Sequence, residues 1–170
     1  MIEILQGNLT APENSIRIAL IASRFNELIV KELISGAEDA LIRHGMSQQQ
    51  LLLVRVPGAY EIAHAAKLLA ASGKFAGIVA LGCVIRGETA HFDYVAGASN
   101  SGLMSVSLEH KIPIGFGILT VDSLDQALAR AGSKAGNKGS EAALAVLEQI
   151  NLAAAIAKKI EKIETIKAMQ

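Results

Sequence analysis

Short apolar runs rich in branched residues alternate along this chain with stretches of helical spacing, and that alternation restricts the fold more than any other feature. Ser15-Ile16-Arg17-Ile18-Ala19-Leu20-Ile21-Ala22 is nearly continuous in its apolar character, as a strand covered on both faces must be. Residues 26–44 switch to a helical period, with Val30, Leu33, Ala37 and Leu41 on one stripe and Gly45 where a helix-terminating glycine belongs. The pattern then repeats. Residues 51–56 read as a strand, 59–72 as a helix closed by Gly73, 77–85 as a strand and about 94–111 as a helix. A strand over 114–119 follows Pro113, whose missing N–H costs least at a strand entrance. Two helical stretches, 123–131 and 140 to about 162, flank the glycine-rich segment 132–139, and Ile2-Glu3-Ile4-Leu5 offers a further strand at a sheet edge. Strands alternating with helices imply right-handed crossovers and a parallel sheet covered on both sides. The expected fold is a three-layer α/β/α sandwich with a four-stranded parallel sheet, one domain over residues 1–170.

Composition narrows the function classes. With 51% hydrophobic and 19% charged residues the chain is no disordered segment. Its 16 Lys and Arg balance 16 Asp and Glu, so no global field draws it to nucleic acid or an anionic membrane, and an anionic ligand needs a local cluster of donors. The single Cys83 excludes an intrachain disulfide and favours the cytoplasm. Residues 75–85, the longest apolar run, are too few to span a bilayer, and the N-terminus lacks the pattern of a signal peptide.

Parallel sheets bind ligands outside the carboxyl ends of their strands. The loops leaving those ends here are residues 23–26, 57–61, 86–91 and 120–122. Gly82-Cys83-Val84-Ile85-Arg86-Gly87-Glu88-Thr89 approaches a triphosphate-binding loop, but Glu88 stands where that loop requires lysine and would repel the phosphates. The backbone N–H groups around Gly87 could still form a nest for a smaller anion. Of four histidines, His91 alone follows a buried strand and precedes a helix, where an imidazole can move protons near neutral pH. None shows a metal-ligand spacing. Arg130, Lys134 and Lys138 lie among glycines ahead of the last helix. They fit either an oxyanion site or ordinary helix-end complementarity. Phe25 is either a core aromatic or a stacking surface, and Asn26 either a helix cap or a contact to a ligand. Cys83, within an apolar strand, reads as a small hydrophobe.

Taken together, these segments resemble lumazine synthase. The resemblance runs from about residue 7 to 152. It rests on Ala22-Ser23-Arg24-Phe25-Asn26, Val56-Pro57-Gly58-Ala59-Tyr60-Glu61, the residues 82–92 that include Glu88-Thr89-Ala90-His91-Phe92, Phe116-Gly117-Ile118-Leu119-Thr120, and the stretch Arg130 to Gly139. It implies a flavodoxin-like strand order 2-1-3-4. It also implies condensation of 5-amino-6-(D-ribitylamino)uracil with (S)-3,4-dihydroxy-2-butanone 4-phosphate in riboflavin biosynthesis, without metal or organic cofactor. Carried over by motif, Phe25 stacks on the pyrimidine and Phe116 covers it. Ala59, Tyr60 and Glu61 bind the uracil and ribityl chain, while Cys83, Val84 and Ile85 meet the ring mainly through backbone. Glu88 and Thr89 hold the phosphate ester by main-chain groups, Arg130 supplies positive charge, and His91 shuttles protons. Asn26 and Lys138 give supporting contacts. The resemblance further implies a homo-pentamer with Phe116 and Arg130 donated to the adjacent subunit's site, closing in some members into an icosahedral 60-mer, with riboflavin synthase as a candidate partner.

The chain departs from the family at Ala63, where proline is common, at Ser133 in place of threonine, and in residues 153–170, which run past the usual end. Ile156, Ile160 and Ile163 continue a helical stripe there, as an extension of the last helix or a frayed tail. Two other classes compete: a flavodoxin-like flavin- or nucleotide-binding module, and a shell protein without catalysis. The first is disfavoured because the loop after the first strand carries one hydroxyl, Ser23, with which to cradle phosphate.

Overall fold

A computed structural model describes residues 2–12 and 15–168. Four strands, β1 (Ile18–Ser23), β2 (Leu51–Val56), β3 (Gly77–Ile85) and β4 (Ile114–Val121), form a parallel sheet in the order β2-β1-β3-β4. Ile18 lies opposite Leu51 on one side and Gly77 on the other, and Ile78 lies opposite Ile114. Among the described residues the α-helices are α1 (Glu27–Arg43), α2 (Ile62–Ala71), α3 (His91–His110), α4 (Leu124–Arg130) and α5 (Lys138–Ala168). This is the α/β sandwich and strand order expected from the sequence.

Both faces of the sheet are covered, which is why β1 is buried along its whole length. Leu20, Ala22, Val79 and Leu81 pack on α1 (Val30, Leu33, Leu41) and α5 (Val146, Leu147). Their sequence neighbours Ala19, Ile21, Ile78 and Ala80 point the other way, onto α2 (Ile62, Ala66) and α3 (Leu103, Val106). Gly45 and Gly73 follow α1 and α2 with φ of +99° and +65°, the left-handed backbone at which helices commonly stop.

The structure corrects several expectations. Ile2-Glu3-Ile4-Leu5 adds no strand to the sheet. Glu3 pairs instead with Lys159 of α5, Asn151 Nδ2 donates to the carbonyls of Asn8 and Thr10, and Ile2 and Ile4 stay exposed. An alternating Ile-Glu-Ile suits any extended segment, and here the charged position finds its partner on a helix. The glycine-rich stretch before α5 forms a small antiparallel hairpin, β5 (Ala131–Ser133) with β6 (Gly136–Asn137). Asn137 Oδ1 then accepts from the N–H groups of Gly139 and Ser140 and caps α5. Two of the N–H groups at that helix terminus thus find their acceptor within the chain.

α5 is long and apolar enough to cross a membrane by length and composition, which the longest apolar run did not foreshadow. Ala142, Ala143, Val146, Leu147 and Ile150 in its first half are buried in the core against the sheet and α1, so those turns cannot face lipid. Ile156, Ile160, Ile163 and Ile166 in its second half remain exposed.

Candidate active site

The strand order reverses between β1 and β3, and a cleft of about 500 Å³ opens at the carboxyl ends of these strands. Its walls are Phe25 and Asn26 after β1, Gly58 to Glu61 after β2, Cys83, Val84 and Ile85 at the end of β3, Gly87 and Thr89 in the following loop, and His91, Phe92, Tyr94 and Val95 at the start of α3. The volume lies within the usual range for a small-molecule site. A second hollow, lined by Ser15, Arg17, Ser47, Gln49 and Gln50, lies at the opposite end of the sheet and contains none of the strand-end residues.

Local hydrogen bonds set the cleft walls. The N–H groups of Arg24 and Phe25 donate to the carbonyls of Val56 and Pro57, so the loops after β1 and β2 are sewn together and the Phe25 ring, 71% exposed, is held at the mouth. Asn26 occupies the N-cap position of α1 in a left-handed conformation (φ 58°), yet its side chain caps nothing. Its Nδ2 donates instead to the Cys83 carbonyl at 2.8 Å, joining β1's loop to β3 across the switch point. A non-glycine residue held at positive φ is a strained feature that tends to accompany function. Glu61 Oε2 accepts from Gly58 N–H at 2.8 Å, which shapes the short turn Ala59–Glu61. Ser99 of α3, fully buried, lies behind that turn with its one hydroxyl proton between the Val95 carbonyl at 2.7 Å and the Ala59 carbonyl at 3.0 Å. Ser23 is buried as well, so the lone hydroxyl of the first loop is withdrawn from any ligand.

Arg86 pairs with two carboxylates, Asp93 and Asp122. Asp122, ahead of Asp93, holds its guanidinium above the usual arginine pKa. Cys83 is buried, and burial alone pushes its thiol up to about 11. The thiol therefore stays protonated near neutral pH and is no nucleophile. We expect native protein at pH 7 to leave an aromatic disulfide reagent largely unreacted, with stoichiometric reaction on unfolding. Rapid labelling of the folded protein would contradict this assignment. Among the described residues no group of three or more His, Cys, Asp or Glu side chains is placed to hold a metal ion.

The cleft gathers Phe25, Asn26, Ala59, Tyr60, Glu61, Cys83, Val84, Ile85, Thr89 and His91. Glu88 lies on the adjoining loop but does not line the cleft. Phe116, Arg130 and Lys138 stand apart from it. Phe116 is on edge strand β4, 43% exposed, on the same face as Ile114 and Ile118. Arg130 ends α4, its Nη1 donating to the Gln126 carbonyl, and Lys138 pairs with Glu141. Phe92, part of the motif that ends the loop after β3 but given no role there, also lines the cleft, as do Tyr94 and Val95, which did not stand out in the sequence. The helix carrying them starts at His91, three residues earlier than its spacing indicated, because Ala90 supplies no capping side chain to mark the start.

Residues 15–154 match the family model of 6,7-dimethyl-8-ribityllumazine synthase. The chain belongs to this family. Lumazine synthases are transferases of riboflavin biosynthesis, and this chain is accordingly such a transferase; the family is known for small-molecule substrates and oligomeric assembly. The matched stretch contains every residue of the cleft and ends inside α5, so the exposed isoleucines from 156 onward lie beyond it.

Proposed function

We propose that the chain condenses 5-amino-6-(D-ribitylamino)uracil with (S)-3,4-dihydroxy-2-butanone 4-phosphate into 6,7-dimethyl-8-ribityllumazine, releasing phosphate and water. The observation that carries this reading is the convergence of an exposed aromatic ring, backbone-rich strand ends and one imidazole on a single cleft at the switch point of the sheet. Phe25 stacks on the pyrimidine, while Asn26, Ala59, Tyr60, Glu61 and the strand end Cys83-Val84-Ile85 position the uracil and its ribityl chain. Main-chain groups of Glu88 and Thr89 meet the phosphate.

The substrate's own amine attacks the ketone, so no activated serine or cysteine is needed. Imine formation, loss of phosphate and ring closure each require proton transfers, which His91 serves. Its side chain makes no hydrogen bond among the described residues and is exposed at the cleft, free to turn between donor and acceptor. Holding two reactants together supplies much of the remaining acceleration. We expect His91→Ala to lower kcat roughly ten- to a hundredfold without abolishing turnover, because proximity survives. Incubating both substrates and following lumazine fluorescence tests the reaction, and unchanged turnover in His91→Ala would remove the proton-shuttle role.

Phe116 and Arg130 complete the site from an adjacent subunit of a homo-pentamer, with Lys138 as a supporting contact. Their position away from their own chain's cleft supports that reading. Sedimentation velocity tests it, and a monomer would contradict it. Closure into an icosahedral 60-mer, association with riboflavin synthase and a cytoplasmic location belong to the same reading. So does a single domain over residues 1–170; of the stretch 153–170, expected as a helical extension or a frayed tail, residues 153–168 are part of α5, and 169 and 170 lie outside the described residues.

A further inference from the structure

Arg86, the last residue before the Gly87 loop, takes no part in the cleft wall, yet it contacts three separate elements. Its backbone N–H donates to the Val121 carbonyl at 2.8 Å, its Nε reaches Asp122 Oδ1 at 3.1 Å, and its Nη1 lies 3.2 Å from Asp93 Oδ1 in the first turn of α3. The guanidinium also lies over the ring of Phe92, 4.1 Å from its centroid. Phe92 and Asp93 directly follow His91.

The first turn of α3 needs such a brace. Ala90 at its N-cap offers no side-chain acceptor, and a Cβ at Gly87 would meet nothing within 4 Å, so the preceding loop packs against nothing at that point. An isolated exposed ion pair contributes little to stability. A planar guanidinium that spans two carboxylates and stacks on an aromatic ring fixes orientation as well as adding a modest stabilisation. On Asp122 the brace continues into α4, because Asp122 N–H donates to Gln126 Oε1.

We propose that Arg86 is a positioning residue for His91, clamping the first turn of α3 to the loop after β4 so that the imidazole faces the cleft. This rests on the assignment of proton transfer to His91. Loss of the clamp leaves the fold intact and lets the imidazole wander, and a displacement of about 1 Å at a reacting group is enough to cost a large rate factor.

The test is a double-mutant cycle in lumazine formation with the full-length protein, read as kcat and KM separately. Arg86→Ala is expected to lower kcat about fivefold to tenfold with KM within about twofold, and Arg86→Lys to fall in between, since lysine cannot lie flat or span both carboxylates. In the His91→Ala background the same Arg86→Ala change is expected to cost less than about twofold. Equal losses in both backgrounds, or no loss in either, overturn the positioning role while leaving His91's own role standing. Absence of lumazine from the wild-type protein instead overturns the parent reading, and the positioning role with it. Should Arg86→Ala fail to fold, Asp122→Ala removes one arm at an exposed loop residue. It is expected to lower kcat about threefold, again only when His91 is present, and a loss indifferent to His91 would count against the clamp.

Discussion

Replacing Gly115 by alanine is expected to destabilise the protein by about 3 kcal/mol or more, lowering its unfolding midpoint by roughly 6–12 °C. Gly115 sits in β4, where α5 crosses the sheet. A Cβ there would fall inside contact distance of the Ala142 carbonyl and within 2.9 Å of Val146 Cγ2. The obstructing atom is helix backbone, which cannot turn away as a side chain would, so the whole of α5 must move off the sheet. That motion would uncover Val146 and Leu147, both almost fully buried. Gly87→Ala is the control, since its Cβ would meet nothing within 4 Å. Thermal unfolding followed by circular dichroism at one fixed protein concentration checks both, because assembly makes the midpoint concentration-dependent. A Gly115→Ala midpoint equal to the control's would mean that α5 does not press on β4 as described.

Arg130→Ala is expected to raise KM for the butanone phosphate roughly 30- to 150-fold, equivalent to about 2–3 kcal/mol for a charged hydrogen-bond partner, with a much smaller change in KM for the uracil substrate. Among the described residues the Arg130 side chain makes one hydrogen bond, to the Gln126 carbonyl one turn earlier, which leaves most of its guanidinium donors unused. A planar donor fork held this way suits a phosphate oxygen pair. Lysine at this position should recover only part of the affinity, as a point charge without the fork. If Arg130 served only to complement the end of α4, its removal would cost a few tenths to about 1 kcal/mol of stability and leave both KM values unchanged. Steady-state kinetics against each substrate in turn separates the two.

How much of this was legible before the structure depends on the element. β1 and β3 were readable because a strand covered on both faces must be apolar at every position. The cleft loops were readable because a parallel sheet directs its ligands to the carboxyl ends of the strands. Asn26 was ambiguous, since the cap it resembles and the contact it makes call for the same side chain. Only the approach of Cys83, 57 positions away, decides between them. The hairpin of β5 and β6 was invisible because strands of three and two residues carry no period.

What the sequence determined by itself was the layering and the family's strand-end motifs, because hydrophobic period and glycine placement act locally. The tertiary structure decided which polar group meets which. It brought Arg86 to Asp122 and Phe92, turned Asn137 inward to cap α5, and sent Glu3 to Lys159. Side-chain pairings of this kind depend on distances between segments far apart in the chain, and a one-dimensional pattern carries no record of those distances.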